Sequence, residues 1–597
     1  MERYIGIDLG TTNSIVSVAN KTYHGGIEAE TLRVTQVDEF GLGIVEQEDL
    51  PSVLYVEEGG TNYVGRYAKR MSSVYKNRVI KESKSYLGKS NKWKIDGKDY
   101  SPEIVASFFL DVMKKQVEKY YNGEKVNGAV ITIPANFHFQ QQQETRNAGV
   151  LAGFDADKIH MIPEPTAALI DFLNEEENKA PEARRLRLET GPKKLLVFDL
   201  GGGTCDVSIL QVQENVNKGL SIVELSISQY TELGGRNFDQ QVAQMLLNKY
   251  FVEKGLNAKL IQVEYGVDVF TSLIESFIDF AENAKKKFSS MVLASRMDYF
   301  EHQAEFDDKR YMEMLPTHLP QELISRLSIT KKEYDDAIKS LLYAEFDTRN
   351  KNIEAPIRSA LEEARQGAMA VDEIDAVFLV GGMTYYPTVQ NRIYEIFNRR
   401  IKPLQSINPM ISVSRGAAIF HCKLGGIGEI DISTAKPGEV GQPKPVGIDT
   451  LGIETTVPVN VFIDVAGNDP VPLLVKGTPL PFDKEFRNKF YVSGTSNGIS
   501  TITTMKLELF TASSATAIKT TRLQDAIIQF SKPVKAGSPL VLHVSCNEER
   551  DVAVRAWVED APDEMLTVNI GAKVYTDEEK QAIRSEHVKT VLEPATF

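Results

Sequence analysis

A duplicated α/β domain, followed by an antiparallel β-sandwich and a short C-terminal helix, is the fold class this sequence predicts. Three observations predict it. The run Leu195-Leu-Val-Phe-Asp-Leu-Gly-Gly-Gly-Thr-Cys-Asp-Val-Ser-Ile-Leu210 passes from an apolar strand through three glycines into a second apolar strand. Glycine lets backbone approach a ligand closely, and successive turn amides form a concave anion site. Asp199 and Asp206 flank that turn, placed to hold a hydrated metal ion beside the anion. The same design stands near the N-terminus as Tyr4-Ile-Gly-Ile-Asp-Leu-Gly-Thr-Thr-Asn-Ser-Ile-Val-Ser-Val18, where Asp8-Leu9-Gly10 matches Asp199-Leu200-Gly201. Two phosphate hairpins, one in each half of a long region, imply a nucleotide clamped between the halves. The third observation is a change of apolar period to two beyond residue 448.

Bulk properties fit this reading. The 597 residues can bury large cores and divide into at least two domains. With 68 basic and 82 acidic residues the formal charge is −14, which argues against a general nucleic-acid binder. Cys205, Cys422 and Cys546 lie far apart without metal or disulfide spacing, so a reducing compartment is expected. No apolar run is long enough to span a bilayer, and no charged-then-apolar leader precedes the first strand. The expected location is cytoplasmic, with no membrane and no nucleic-acid partner.

In chain order, Leu50–Val56 reads as a strand ahead of Gly59-Gly60. Gly88-Lys89-Ser90 resembles the end of a Walker A loop, but Ser83 stands where that motif needs glycine, so no P-loop is read there. Lys84, just upstream, reads on its own as an exposed lysine. Ser101-Pro-Glu-Ile opens a helix with Ile104, Val105, Phe108, Phe109, Val112 and Met113 at helical spacing. Val130–Pro134 is a buried strand stopped by proline, and 140–151 is helical. Glu164 sits rigidly between two prolines. Residues 171–194 read as a solvated insertion of mixed charge. Glu232-Leu-Gly-Gly235 is a further glycine turn, before a helix at 241–250. Glu282, Lys285, Lys286 and Ser289 share one face of a later helix. Ala376–Thr384 is a buried strand delivering Gly381 and Gly382.

Glycines and prolines crowd 425–447, which reads as a linker after a nucleotide-binding domain at 1–424. Alternating runs such as Leu540/Leu542/Val544 and Val552/Val554/Ala556 place the sandwich at 448–571. Residues 572–597 hold one short helix, opened by the capping box Thr576-Asp-Glu-Glu579.

Five motifs in order, Ile7–Ser14, Ile162-Pro-Glu-Pro-Thr-Ala-Ala168, Phe198–Thr204, Leu233-Gly-Gly235 and Leu379-Val-Gly-Gly382, resemble the DnaK-type seventy-kilodalton heat-shock (Hsp70) chaperones. The resemblance is close over 1–424 and fainter at Thr450–Thr455 and Lys476–Pro481. It implies an actin-like, ribonuclease-H-like ATPase domain and a β domain that binds extended polypeptide. By that resemblance Asp8, Asp199 and Asp206 arrange Mg²⁺ and water, with K⁺ as a further candidate ion. Lys84, Glu164, Asp199, Thr204 and Asp206 become the catalytic set. Gly10, Thr11, Thr12, Asn13, Gly202, Gly203 and Thr204 hold the phosphates of ATP or ADP, with Gly201, Gly234, Gly235, Gly381 and Gly382 as further nucleotide-binding residues. Glu282, Lys285, Lys286, Ser289 and Tyr385 meet the adenosine. A J-domain co-chaperone and a nucleotide-exchange factor are the implied protein partners. Phosphoryl transfer to water suits these residue types, since it needs charge neutralisation and in-line positioning.

The sequence departs from the family at several points. Tyr385 stands where an arginine usually stacks on adenine, and its ring can stack there instead. Met410 replaces an acidic residue, Gln142 an arginine used in communication between domains, and Cys205 an aromatic that it replaces as a small apolar side chain. The linker lacks the family's acidic-leucine sequence, with only Ile427–Ile432 as an echo, and the helical lid is reduced to one helix. These departures favour weak coupling between nucleotide and polypeptide sites. Two alternatives remain: a nucleotide-dependent module whose β domain docks one dedicated protein client, and an actin-fold sugar or acetate-type kinase.

Overall fold

The computed structural model describes residues 3–593 apart from 23–25, 73, 215–219, 230, 317–318, 348–350, 366, 407, 426–450, 465–468, 493–500, 513–520, 523–525, 560 and 570–572. The linker beyond Gly425, with its Ile427–Ile432 echo, lies outside the described residues.

Two sheets share one topology. In the first, Tyr4–Asp8 pairs antiparallel with Asn13–Lys21 and parallel with Ala129–Ile133, which runs parallel to Ile159–Pro163. In the second, Lys193–Leu200 pairs antiparallel with Cys205–Glu214 and parallel with Ala376–Val380, which runs parallel to Leu404–Gln405. A third antiparallel strand follows each hairpin, Ile27–Thr31 and Leu220–Ile227. The glycine hairpins are therefore equivalent elements of two lobes, I and II.

The helices that follow the last parallel strands cross over. Glu164–Glu177 leaves the first sheet and buries Ala168, Leu169 and Phe172 with Leu195 and Val197 of the second. Ser412–Gly425 leaves the second and packs on the first. Small residues permit this crossing: a Cβ on Gly416 would lie 1.7 Å from the Ala167 carbonyl oxygen, and one on Gly6 2.2 Å from that of Ser414. The Pro-Thr-Ala-Ala and Arg-Gly-Ala-Ala stretches are thus packing surfaces of the hinge between lobes.

Two sequence readings need correction here. Only part of 171–194 is solvated: Glu177, Asn178, Glu182 and Arg187 are exposed, but Asp171, Asn174 and Glu176 are buried on the crossing helix. Arg415 lies 3.1 Å from Asp171, Arg185 pairs with Glu176 at 2.9 Å, and the Arg185 guanidinium covers the Phe172 ring. These charges are paired, which a charge pattern alone does not reveal. Second, Leu451–Glu454, read as the start of the β domain, runs parallel to Leu220–Val223 and closes the second sheet as its sixth strand. Alternation serves a sheet edge as well as a sandwich.

Helix Gly235–Lys254 and the 29-residue helix Val267–Ser295 pack through Val242, Leu246, Phe277, Phe280 and Phe288 into the largest core, in lobe II. Cys205 lies in the same core, where burial pushes its thiol well up, in keeping with a small apolar side chain. Beyond the ATPase-like region, two four-stranded antiparallel sheets face each other. Asn460–Ile463 and Leu509–Ala512 belong to one, Phe482–Tyr491, Pro539–Cys546 and Val552–Val558 to the other. Val461, Ile463 and Leu509 meet Phe486, Leu542, Val544 and Val554 in one core. Period-two patterning places these side chains inward.

The C-terminal helix, Asp577–His587, is capped by Thr576 as expected. Its position was not: it lies on lobe I, and Thr590–Val591 adds in parallel to Asn62–Tyr63. Among the described residues no helix is long and apolar enough to cross a membrane.

Candidate functional site

Each hairpin ends its first strand in an aspartate and turns on glycine toward the other lobe. A Cβ on Gly202 would lie 1.9 Å from Thr12 Oγ1, and one on Gly203 3.0 Å from Thr11 Cγ2, so the two turns face each other at contact distance. A Cβ on Gly10 would likewise lie 1.9 Å from the Asn13 carbonyl oxygen. The third glycine turn completes this cradle. Gly235 and Arg236 amides donate to the carbonyls of Gly201 and Gly202 at 2.9 and 3.0 Å, and a Cβ on Gly234 would meet Gly203 N at 2.2 Å. Gly381 has φ +85°, and its Cβ would lie 2.5 Å from Asp199 Oδ1. The Gly201 amide donates to the Thr204 carbonyl at 3.1 Å, closing the central turn.

Lys84 is buried rather than exposed, in the short turn Ser83–Tyr86, and its ammonium pairs with the Glu164 carboxylate. Burial opposes its charge, but Glu164 and Asp8 outweigh that and hold its pKa above the ordinary lysine value. The carboxylates respond oppositely. Burial, with Glu164 nearby, raises Asp8 to about 7 and Asp206 to about 7, and raises Asp199 well above its usual range. Four carboxylates therefore crowd one ammonium.

Such an excess of negative charge, offered by oxygen donors alone, fits a hard divalent cation such as Mg²⁺. Among the described residues no three His, Cys, Asp or Glu side chains converge closely enough to coordinate a metal directly. Asp8, Asp199 and Asp206 accordingly suit a hydrated ion held through its water ligands.

The predicted adenosine face assembles next to the third glycine turn. Lys285 Nζ lies 2.7 Å from Asp239 Oδ2 and 3.5 Å from the Gly235 carbonyl. Glu282 pairs with Lys286 at 2.6 Å; against burial, Lys69 and Lys286 hold its carboxyl down at about 2. The Ser289 hydroxyl donates to the Lys285 carbonyl at 3.0 Å. Tyr385 donates its hydroxyl to Asn408 Oδ1 at 2.9 Å, which fixes the ring, and Met410 lies against Gly382.

Sequence reasoning missed Asn136, whose amide nitrogen donates to Asp206 Oδ1, and Asp239, which anchors Lys285. Its one available signal was the position of Asn136 just past a buried parallel strand, where α/β sheets bind ligands.

The comparisons agree with this geometry. The sequence matches the Hsp70 protein family over residues 59–436. The chain belongs to the Hsp70 family. It is 31% identical over 486 residues to the chaperone protein DnaK of Thermosipho melanesiensis, covering 81% of this chain and 67% of that protein. It is 30% identical over 488 residues to the chaperone protein DnaK of Thermosipho africanus, with the same coverage, 81% and 67%.

In this Hsp70 the β domain docks on both lobes. Arg550, at φ 66° in the turn after Pro539–Cys546, is buried. It donates to the Ala135 carbonyl of lobe I at 2.7 Å and to Glu224 Oε2 of lobe II at 2.8 Å. Arg146 pairs with Glu549 at 2.6 Å, and His160 with the same carboxylate at 2.8 Å. Gln142 stays inside, donating to the Phe137 carbonyl at 2.9 Å. The interface cation on that helix is Arg146, one turn beyond Gln142.

Proposed function

We propose that this Hsp70 binds Mg²⁺–ATP between its lobes, hydrolyses it, and binds extended polypeptide in its β domain. The buried Lys84–Glu164 pair between the two aspartate hairpins carries the reading. A burial this deep is costly for both charges unless a polyanion and water complete the site. The glycine turns bring backbone amides to the phosphates without side chains intervening. Mg²⁺, when bound, would neutralise the charge on the phosphates and the leaving group. Lys84 would donate to the γ-phosphate, which releases Glu164 to accept a proton from water. The water oxygen would bond to phosphorus as the bond to the β-phosphate oxygen breaks. Asp8, Asp199 and Asp206 would orient the remaining waters.

Linker composition argued for weak coupling. The buried Arg550 contacts to both lobes favour stronger coupling, because any lobe rotation must break one of them, and we adopt that version. A J-domain protein and an exchange factor are the partners that family membership suggests. Calorimetry with Mg²⁺–ATP tests the reading: binding is expected, and Asp199→Ala should keep the fold yet lose most turnover. No detectable binding would end it. Transfer of phosphate to a member of a sugar panel, in place of hydrolysis, would favour the kinase alternative.

A further inference from the structure

We propose that Asn136 is a positioning residue of the phosphate site, holding Asp206 through its amide nitrogen and presenting its amide oxygen to a water in the cleft. This rests on the ATP-hydrolysis reading. Asn136 follows Pro134 and Ala135 at the carboxyl end of the parallel strand Ala129–Ile133, and only 8% of it is exposed. Its Nδ2 donates to Asp206 Oδ1. With the proposed Mg²⁺ bound, Asp206 is an ionised carboxylate that only accepts hydrogen bonds, so nitrogen faces it. That settles the amide's orientation and turns Oδ1 away from the carboxylate. Oδ1 is buried and has no partner among the described residues.

The chemistry of the site limits what can satisfy it. Phosphate oxygens of a nucleotide are acceptors, like Oδ1 itself, so the donor is not ATP. The Lys84 ammonium donates to Glu164 here and turns to the γ-phosphate in the proposed complex. Water is the donor this reading supplies, either the attacking molecule or one around the ion.

The backbone on each side of Asn136 is held in place. The Ala135 carbonyl accepts from Arg550 at 2.7 Å, and the Phe137 carbonyl accepts from Gln142 at 2.9 Å. The Phe137 ring lies 5.8 Å from the Lys84 ammonium. Supporting contacts of this kind hold a positioning side chain to the tolerance that catalysis requires.

The test uses the full-length protein and the variants Asn136→Ala, Asn136→Ser and Asn136→Asp. Single-turnover hydrolysis should fall about 10–100-fold in Asn136→Ala while ATP affinity stays within about threefold, a split that a fold defect does not produce. Asn136→Ser, which keeps a small hydroxyl, should recover part of the loss. Asn136→Asp, which sets a like charge beside Asp206, should be slower than Asn136→Ala. Calorimetric Mg²⁺ affinity of the ADP complex should drop about fivefold in Asn136→Ala, with the melting temperature of the ligand-free protein little changed. A wild-type rate and Mg²⁺ affinity in Asn136→Ala would overturn the proposal alone. A wild-type chain that binds no ATP would overturn the functional reading and this proposal with it.

Discussion

The guanidinium of Arg550 lies 2.8 Å from the carboxylate of Glu224, with 2% and 3% of the two side chains exposed. Glu224 also accepts from the Thr456 amide and hydroxyl at 2.9 and 2.8 Å, so one carboxylate joins lobe II to two segments of the β domain. Removing the arginine strands that carboxylate in the interface. Arg550→Ala should therefore weaken docking by about 3–5 kcal/mol, the cost of breaking a buried pair from one side. A fluorophore pair spanning lobe II and the sandwich should report separation. In labelled-peptide dissociation, ATP should accelerate release more than about tenfold, roughly 1.4 kcal/mol, in the wild type and not in Arg550→Ala. Equal release with and without ATP in the wild type would restore the weak-coupling reading of the linker.

The C-terminal helix depends on a neutral histidine. His587 is buried, its Nε2 lies 2.9 Å from the Ser107 hydroxyl, and its ring meets Phe108 edge to face. Burial, with Lys115 and Arg584 nearby, lowers its pKa to about 3. A depressed histidine binds its proton in the unfolded chain first. Its contribution is present above about pH 6.5 and is lost as pH falls from there toward 3. By pH 5 the loss should reach about 2 kcal/mol. Melting temperatures of wild type and His587→Gln should converge between pH 7 and 5; parallel curves would refute the assignment.

At the hinge, Gly416→Ala places a methyl 1.7 Å from the Ala167 carbonyl oxygen, so the crossing helices must part. The expected cost is about 3 kcal/mol, the upper range of overpacking. Urea unfolding should show a lower midpoint with an unchanged slope. Gly452→Ala, where nothing lies within 4 Å of the added carbon, serves as the control and should barely shift it.

How far each feature was legible follows from the range of the forces that make it. Asp8, Asp199 and the glycines were visible because a phosphate turn writes its requirements into consecutive residues. The shared face of Glu282, Lys285 and Lys286 was visible through helical period alone. Lys84 and Glu164 were not, since their pairing joins residues eighty apart, and only the family resemblance pointed to them. Arg550 and the docked C-terminal helix were invisible for the same reason, and Asn136 was marked only by its place just past a buried parallel strand. Each gains its role from a surface that the local pattern does not encode, and Leu451–Glu454 shows that period two cannot say which sheet a strand joins.

The central claim is that the buried Lys84–Glu164 pair is the hydrolytic centre of an ATPase. Single-turnover hydrolysis by Lys84→Met, with ATP affinity measured by calorimetry on the same preparation, tests it most directly. Losing one preorganised charge aimed at the developing transition state costs about 10²–10³ in rate. The account predicts that loss with ATP affinity within about threefold of wild type. Hydrolysis at the wild-type rate in Lys84→Met would contradict it.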